Sequence, residues 1–129
     1  MSEPSAKASY VGAPAIFLLE RECQHLNAAF GGYGVYLVGS SIERPDWRDV
    51  DLRMILEDEA FATLFPDAGD NWEFDPRWLF LTVAISRHLS AATGLPIDFQ
   101  FQPQTHANKR HPKQRQAMGM QFTSPRNTT

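Results

Sequence analysis

Cysteine is nearly absent from this chain of 129 residues, and its scarcity limits the classes of protein to consider. Cys23 is the one cysteine, so no intrachain disulfide can form. A disulfide-stapled secreted domain is thereby excluded, and a reducing compartment is expected. Apolar runs of the ~18–20 residues that a membrane-spanning helix needs are also missing. The polar residues 1–7 lack the basic and then apolar pattern of a signal peptide. We therefore expect a cytoplasmic protein with no membrane contact.

Acidic residues are missing from the end of the chain. Residues 103–129 contain five Lys or Arg and no acid, whereas residues 1–102 contain seven Lys or Arg and all 15 acids. The net charge of −3 therefore combines −8 in the body with +5 in the tail. Two interpretations stay open for this tail, a solvated segment or a basic segment that attracts a polyanionic partner.

The composition contains enough apolar material for one core, since 43% of the residues are hydrophobic. Apolar residues at three- and four-residue steps predict helices over 14–30 and 76–93, with a shorter helix over 57–65. Apolar or alternating runs predict strands over 35–38, 50–56 and 96–102, and loops or turns are expected over 40–48 and 67–74. The sequence thus predicts one α/β (α+β) domain over 13–102, a flexible N-terminal arm over 1–12, and a basic, partly ordered C-terminal tail over 103–129 that allows a short helix near Gln114–Met118.

Three carboxylates lie on the predicted strands, where acidic residues are uncommon. Asp49 and Asp51 share one face of the second strand because side chains alternate, and Asp98 lies on the polar face of the third. Like charges on one face repel each other, and a divalent cation between them would remove the repulsion. Mg²⁺ prefers such oxygen ligands. The first strand ends at Gly39-Ser40-Ser41, a turn whose backbone N–H groups and hydroxyls suit a phosphate.

The motif Val38-Gly39-Ser40, followed by Asp49-Val50-Asp51-Leu52 and Ile97-Asp98-Phe99, resembles the polymerase-beta-type nucleotidyltransferase superfamily. More narrowly, Arg44-Pro45-Asp46-Trp47-Arg48 before the acidic pair, with Ala107-Asn108 after the third acid, is similar to small nucleotidyltransferase-like proteins of phages and bacteria. The resemblance covers about residues 14–102 and implies that family's palm, a small mixed sheet with flanking helices. Only eight residues separate Ser40 from Asp49, which is at or just below the short end of the family's spacing.

The resemblance implies transfer of a nucleoside monophosphate from an NTP to a hydroxyl through two Mg²⁺ or Mn²⁺ ions. Asp49 and Asp51 would hold both ions, and Asp98 would complete one site and orient or deprotonate the hydroxyl. Arg53, on the same face, would contact phosphate or pair with an acid when no metal is bound. The resemblance gives phosphate binding to the turn, and the loop arginines would add charge at the triphosphate; the residues are Gly39, Ser40, Ser41, Arg44 and Arg48.

A second class of function is a non-catalytic nucleotide-binding or protein-interaction regulator, antitoxin-like, on the same fold. The three retained acids favour the enzyme, and the lack of room for an acceptor-binding domain favours the regulator. The acceptor (protein, nucleic acid or small molecule) would be bound through a partner, the tail or another subunit, which leaves a homo-oligomer open. If Mg²⁺ is bound, the three carboxylates should meet within a few ångströms of one point, since its ligands lie at ~2.0–2.1 Å.

Overall fold

A four-stranded mixed sheet is the centre of the fold in the computed structural model, which describes residues 9–31, 33–112 and 115–119. Helices flank the sheet, as the sequence predicts, and the α/β class is confirmed. The elements in chain order are α1 (Ala15–Ala29), β1 (Val35–Val38), α2 (Ser40–Glu43), β2 (Val50–Leu56), α3 (Asp58–Leu64), a 3-10 segment (Gly69–Phe74), α4 (Pro76–Thr93), β3 (Ile97–Pro103), α5 (Gln104–Arg110) and β4 (Gln116–Met118).

The strand order is β3-β2-β1-β4. β1 pairs antiparallel with both β2 and β4, whereas β2 pairs parallel with β3. A parallel pair needs a long crossover connection, and α3, the 3-10 segment and α4 supply it. The signals at the ends of α4 act as the sequence predicts. Asp75 accepts a hydrogen bond from the Trp78 N–H at 3.0 Å, Pro76 takes the first position, and Gly94 ends the helix at φ +76°.

The two faces of the sheet differ in chemistry because strand side chains alternate. One face carries the core, where Leu37, Leu52 and Phe99 lie in neighbouring register on three strands and have no exposed surface. Asp51 and Asp98 are also register partners, but on the opposite, polar face. α5 lies beside β2 and β3 there. The sheet therefore separates an apolar core from a polar surface, and the predicted acids belong to that surface.

Four segments differ from the sequence-based expectations. The loop expected over 40–48 begins with the short helix α2, and the turn expected over 67–74 contains the 3-10 segment. α5 was not predicted. The short helix allowed near 114–118 is wrong for the described part, because Gln116–Met118 is the edge strand β4; Gln114 lies outside the described residues. A strand of three residues depends on its partner, here Val35–Leu37 of β1.

Side-chain bonds tie the described end of the chain to the body. Asn27 donates to the carbonyls of Met118 at 3.0 Å and Gly119 at 3.3 Å, and its Oδ1 accepts from the Val35 N–H at 3.1 Å. Glu20 accepts a hydrogen bond from the Gly119 N–H. Met118 is fully buried in the core. The described part of the basic tail is thus integrated into the sheet.

At the other end, the last part of the N-terminal arm packs against α2 and the following loop. The Tyr10 N–H donates to the Ser41 carbonyl at 2.7 Å, and the Trp47 indole N–H donates to the Tyr10 carbonyl at 3.1 Å. Val11 is buried in the core. Within the residues that the structure describes, no helix is both long enough and apolar enough to cross a membrane.

Candidate functional site

The turn after β1 lies directly against the acidic residue of β2. Gly39 adopts φ +79° and ψ −152°, a region that is essentially restricted to glycine. A Cβ at this position would lie 2.5 Å from Oδ2 of Asp51, so any side chain here would displace the carboxylate. Val38 is the register partner of Asp51, which explains the approach. Gly39 is therefore required both for its backbone conformation and for the space that Asp51 occupies.

Asp98 lies beside Asp51 on the neighbouring strand, and Arg53 connects the two strands. Arg53 Nη1 donates to the Asp98 carbonyl at 2.7 Å and to the Leu52 carbonyl at 2.9 Å. Its Nη2 lies 3.5 Å from Asp98 Oδ2, in a weak ion pair. The Arg53 side chain is 9% exposed and that of Asp98 48% exposed. Arg53 is thus a buried cation next to the acidic residues. Its contact with Asp98 corresponds to one of the two roles that the sequence left open for it, pairing with an acid.

The charge of Asp51 is disfavoured in this environment. Burial raises the pKa of its carboxyl, and the neighbouring carboxylates of Asp98 and Asp49 raise it further, while Arg53 acts in the opposite direction. Arg53 therefore offsets only part of the cost of an ionised Asp51. A bound cation, or a proton, would remove the remainder.

The polar face continues into a cleft of about 460 Å³ between the sheet, α2 and α5. Asp58 anchors the start of α5, because its carboxylate accepts hydrogen bonds from the N–H and the hydroxyl of Thr105. Ala107 is fully buried on the inner side of the helix. The cleft is lined by Gly39, Glu43, Asp51, Arg53, Glu73, Gln100, Gln102, His106, Arg110 and His111.

The α5 side of the cleft is basic. Burial is the largest cause that lowers the pKa of His111, and together with the nearby basic groups Arg53, Arg110, Arg115 and His106 it brings that pKa to about 4. His111 is therefore neutral at physiological pH. Arg115 fixes the backbone here, since its Nε donates to the His111 carbonyl at 3.0 Å. The cleft is thus lined by the acidic Asp51 on the sheet and by basic residues on and directly after α5.

The remaining predicted residues lie outside the centre of this arrangement. Asp49 precedes β2 and is exposed. Arg44 is 61% exposed and its Nε lies 3.4 Å from Asp46 Oδ1, while Arg48 is exposed in the same loop. Ser40 and Ser41 are the first two residues of α2, directly after Gly39. Ser40 is partly exposed, and Ser41 is fully buried with an Oγ that has no hydrogen-bond partner in the structure as described.

The described side chains do not fit a two-metal centre as they stand. Among them, no three His, Cys, Asp or Glu groups are close enough together to hold a metal ion. Asp51 and Asp98 are neighbours, and the Arg53 guanidinium already contacts Asp98. The convergence of three carboxylates on one metal site, expected from the sequence, is therefore not seen among the described residues.

The sequence did not indicate that α5 forms one side of the cleft, or that the exposed acids Glu43 and Glu73 line it. Gln100 and Gln102 can be placed from the sequence on the same face of β3 as Asp98, since residues two apart in a strand share a face. His106 and Arg110 have the four-residue spacing of one helix face, but only a prediction of α5 would have revealed it. No protein-family model, curated protein or solved structure matches this chain.

Proposed function

We propose that the cleft binds the phosphates of a nucleoside triphosphate and that the protein transfers a nucleoside monophosphate from it to a hydroxyl of an acceptor, with pyrophosphate as the leaving group. One observation carries this proposal: Gly39, Asp51 and Asp98, which are far apart in the sequence, meet on the polar face of the sheet. The missing side chain at Gly39 lets the Asp51 carboxylate pack against the backbone of the turn, beside the place where the phosphates would bind.

Residues that line or adjoin the cleft have the chemistry to bind the phosphates and to orient the acceptor hydroxyl. Phosphates would lie along the turn after β1, with Arg53 and Arg110 offsetting their charge. Asp98 is half exposed beside this position, so its carboxylate can orient an incoming hydroxyl or accept its proton. The bound cation, Mg²⁺ or Mn²⁺, belongs to the proposal as an experimental variable, because the described carboxylates do not form a site for it.

The second candidate is a non-catalytic nucleotide-binding regulator, and a specific observation favours it. Arg53 is buried and already contacts Asp98, so the protein itself supplies part of the counter-charge of the acidic pair. A cleft with such a built-in cation, whose described carboxylates form no metal site, favours nucleotide binding without a metal centre. Both candidates use the same cleft, so binding alone does not distinguish them.

The test measures binding and transfer separately. Calorimetric titrations with each of the four NTPs, in Mg²⁺, Mn²⁺ and chelator, would measure binding. Incubation of α-labelled NTPs with the protein and a cell lysate would reveal a labelled acceptor. Asp51→Asn should abolish transfer, whereas Asp46→Asn, the same change on a residue with 82% side-chain exposure, should leave it intact. Binding without transfer under all these conditions would favour the regulator, and no binding of any NTP would overturn both candidates.

A further inference from the structure

The basic wall of the cleft forms a second feature, distinct from the turn after β1. His106 and Arg110 lie one helical turn apart on α5, and His111 follows at its end, so the three reach the cleft from one side. The His106 ring packs edge-on against Trp72 with centroids 5.1 Å apart. This contact orients the His106 ring without a bound ligand.

Arg53 on β2 adds a further basic side chain to the cleft, from the sheet side. Its Nη1 donates to two carbonyls, yet its buried Nε has no hydrogen-bond partner in the structure as described. Leaving a buried charged donor unsatisfied is costly. The Arg53 side chain therefore retains hydrogen-bonding capacity in the cleft that His106, Arg110 and His111 also line.

Charged groups of both signs line the cleft. Each group that shifts the pKa of His111 through its charge is a base: Arg53 on β2, His106 and Arg110 on α5, and Arg115 before β4. The acids that line the same cleft are Asp51 on β2, Glu43 on α2 and Glu73 in the 3-10 segment. Glu43 and Glu73 are exposed, so water screens them more than it screens the buried Arg53.

The geometry points to a phosphate subsite formed by Arg53, Arg110 and His111, which holds a phosphate group without a divalent metal. This inference rests on the proposed function and adds a place for one phosphate to it. The phosphate has two sources, the NTP itself or a phosphate already present on the acceptor. An anion at this place would favour the protonated imidazole, so binding should be coupled to proton uptake by His111.

The test uses inorganic pyrophosphate in chelator, with NMR detection of the His111 ring and the backbone amides at pH 6. Pyrophosphate should shift the His111 ring resonances and raise its pKa from about 4 toward the usual range. Arg110→Gln should weaken pyrophosphate binding about fivefold, since a partly solvated charged hydrogen bond is lost. Lys109→Gln removes the same charge one position earlier on α5 and should change the affinity less than about twofold, because screening weakens distant charges.

A saturating non-hydrolysable NTP distinguishes the two sources. Loss of the His111 response would assign the subsite to the nucleotide's own phosphates, and an additive response would assign it to a phosphate of the acceptor. Either result supports the subsite. An unshifted His111 ring at saturating pyrophosphate, or equal weakening by Arg110→Gln and Lys109→Gln, would overturn it. Because pyrophosphate binding in chelator requires neither NTP binding nor transfer, failure of the proposed function would be recognised separately.

Discussion

Replacing Gly39 with alanine tests the contact that defines the site. The backbone at φ +79° and ψ −152° costs about 1–3 kcal/mol for a residue with a Cβ. The new Cβ would also lie 2.5 Å from Asp51 Oδ2, which must move. We expect that displacement to add about 1–2 kcal/mol, as for other directly contacting pairs. The total loss in the free energy of unfolding is then about 2–5 kcal/mol.

A double-mutant cycle separates these two contributions. In an Asp51→Ala background the nearest remaining atom of that residue is its Cβ, 3.7 Å from the added methyl, which is an ordinary contact. The coupling between the two substitutions should therefore be about 1–2 kcal/mol in chemical denaturation. Gly94→Ala is the control, since Gly94 also has a positive φ, +76°, but nothing lies within 4 Å of the added Cβ. It should cost about 1–2 kcal/mol and be additive with Asp51→Ala. Additive effects of Gly39→Ala and Asp51→Ala would refute the contact.

Three further predictions concern charge, anchoring and the tail. Asp51→Asn should raise the melting temperature at pH 7 in chelator, because the pKa of Asp51 is raised in the folded state and its ionisation above that pKa destabilises the fold. The gain in melting temperature should vanish below pH 3.8, the ordinary pKa of this carboxyl. A gain that persists unchanged at low pH would contradict this prediction. Asn27→Ala removes three hydrogen bonds and should cost about 2–3 kcal/mol in denaturant unfolding, whereas the exposed Asn71→Ala should cost under about 0.5. Deleting residues 109–129 should abolish the cooperative thermal transition, because Met118 is fully buried; a retained transition would show that the tail is separable.

The elements that could be predicted are those with strong local signals. The alternation over β2 and β3 and the caps of α4 at Asp75 and Gly94 act within a few residues, so they can be read without the rest of the chain. β4 could not be predicted, because Gln116–Met118 gains its stability from pairing with β1 and from the distant Asn27. Its formation is a tertiary effect that outweighs local preference.

The same division applies to the candidate site. Alternation places Asp51 and Asp98 on polar faces, and the glycine of the turn is visible in the motif. Their adjacency depends on the parallel register of β2 and β3. The buried position of Arg53 could not be predicted, since it depends on carbonyl partners on two strands. The sequence therefore predicts the acidic residues and offers Arg53 as a partner for them, while the burial of Arg53 and its carbonyl contacts appear only in the folded chain.

Nucleotide binding in the cleft is tested most directly by an NMR titration of the isotope-labelled protein with each NTP, with and without Mg²⁺, followed at the backbone amides. For at least one NTP, we predict saturable shifts at Gly39, Asp51 and Arg53, which line the cleft, and little change at the exposed Asn71. If all four NTPs leave the three cleft residues unshifted, in Mg²⁺ and in chelator alike, the cleft does not bind nucleotides and both proposed functions are wrong.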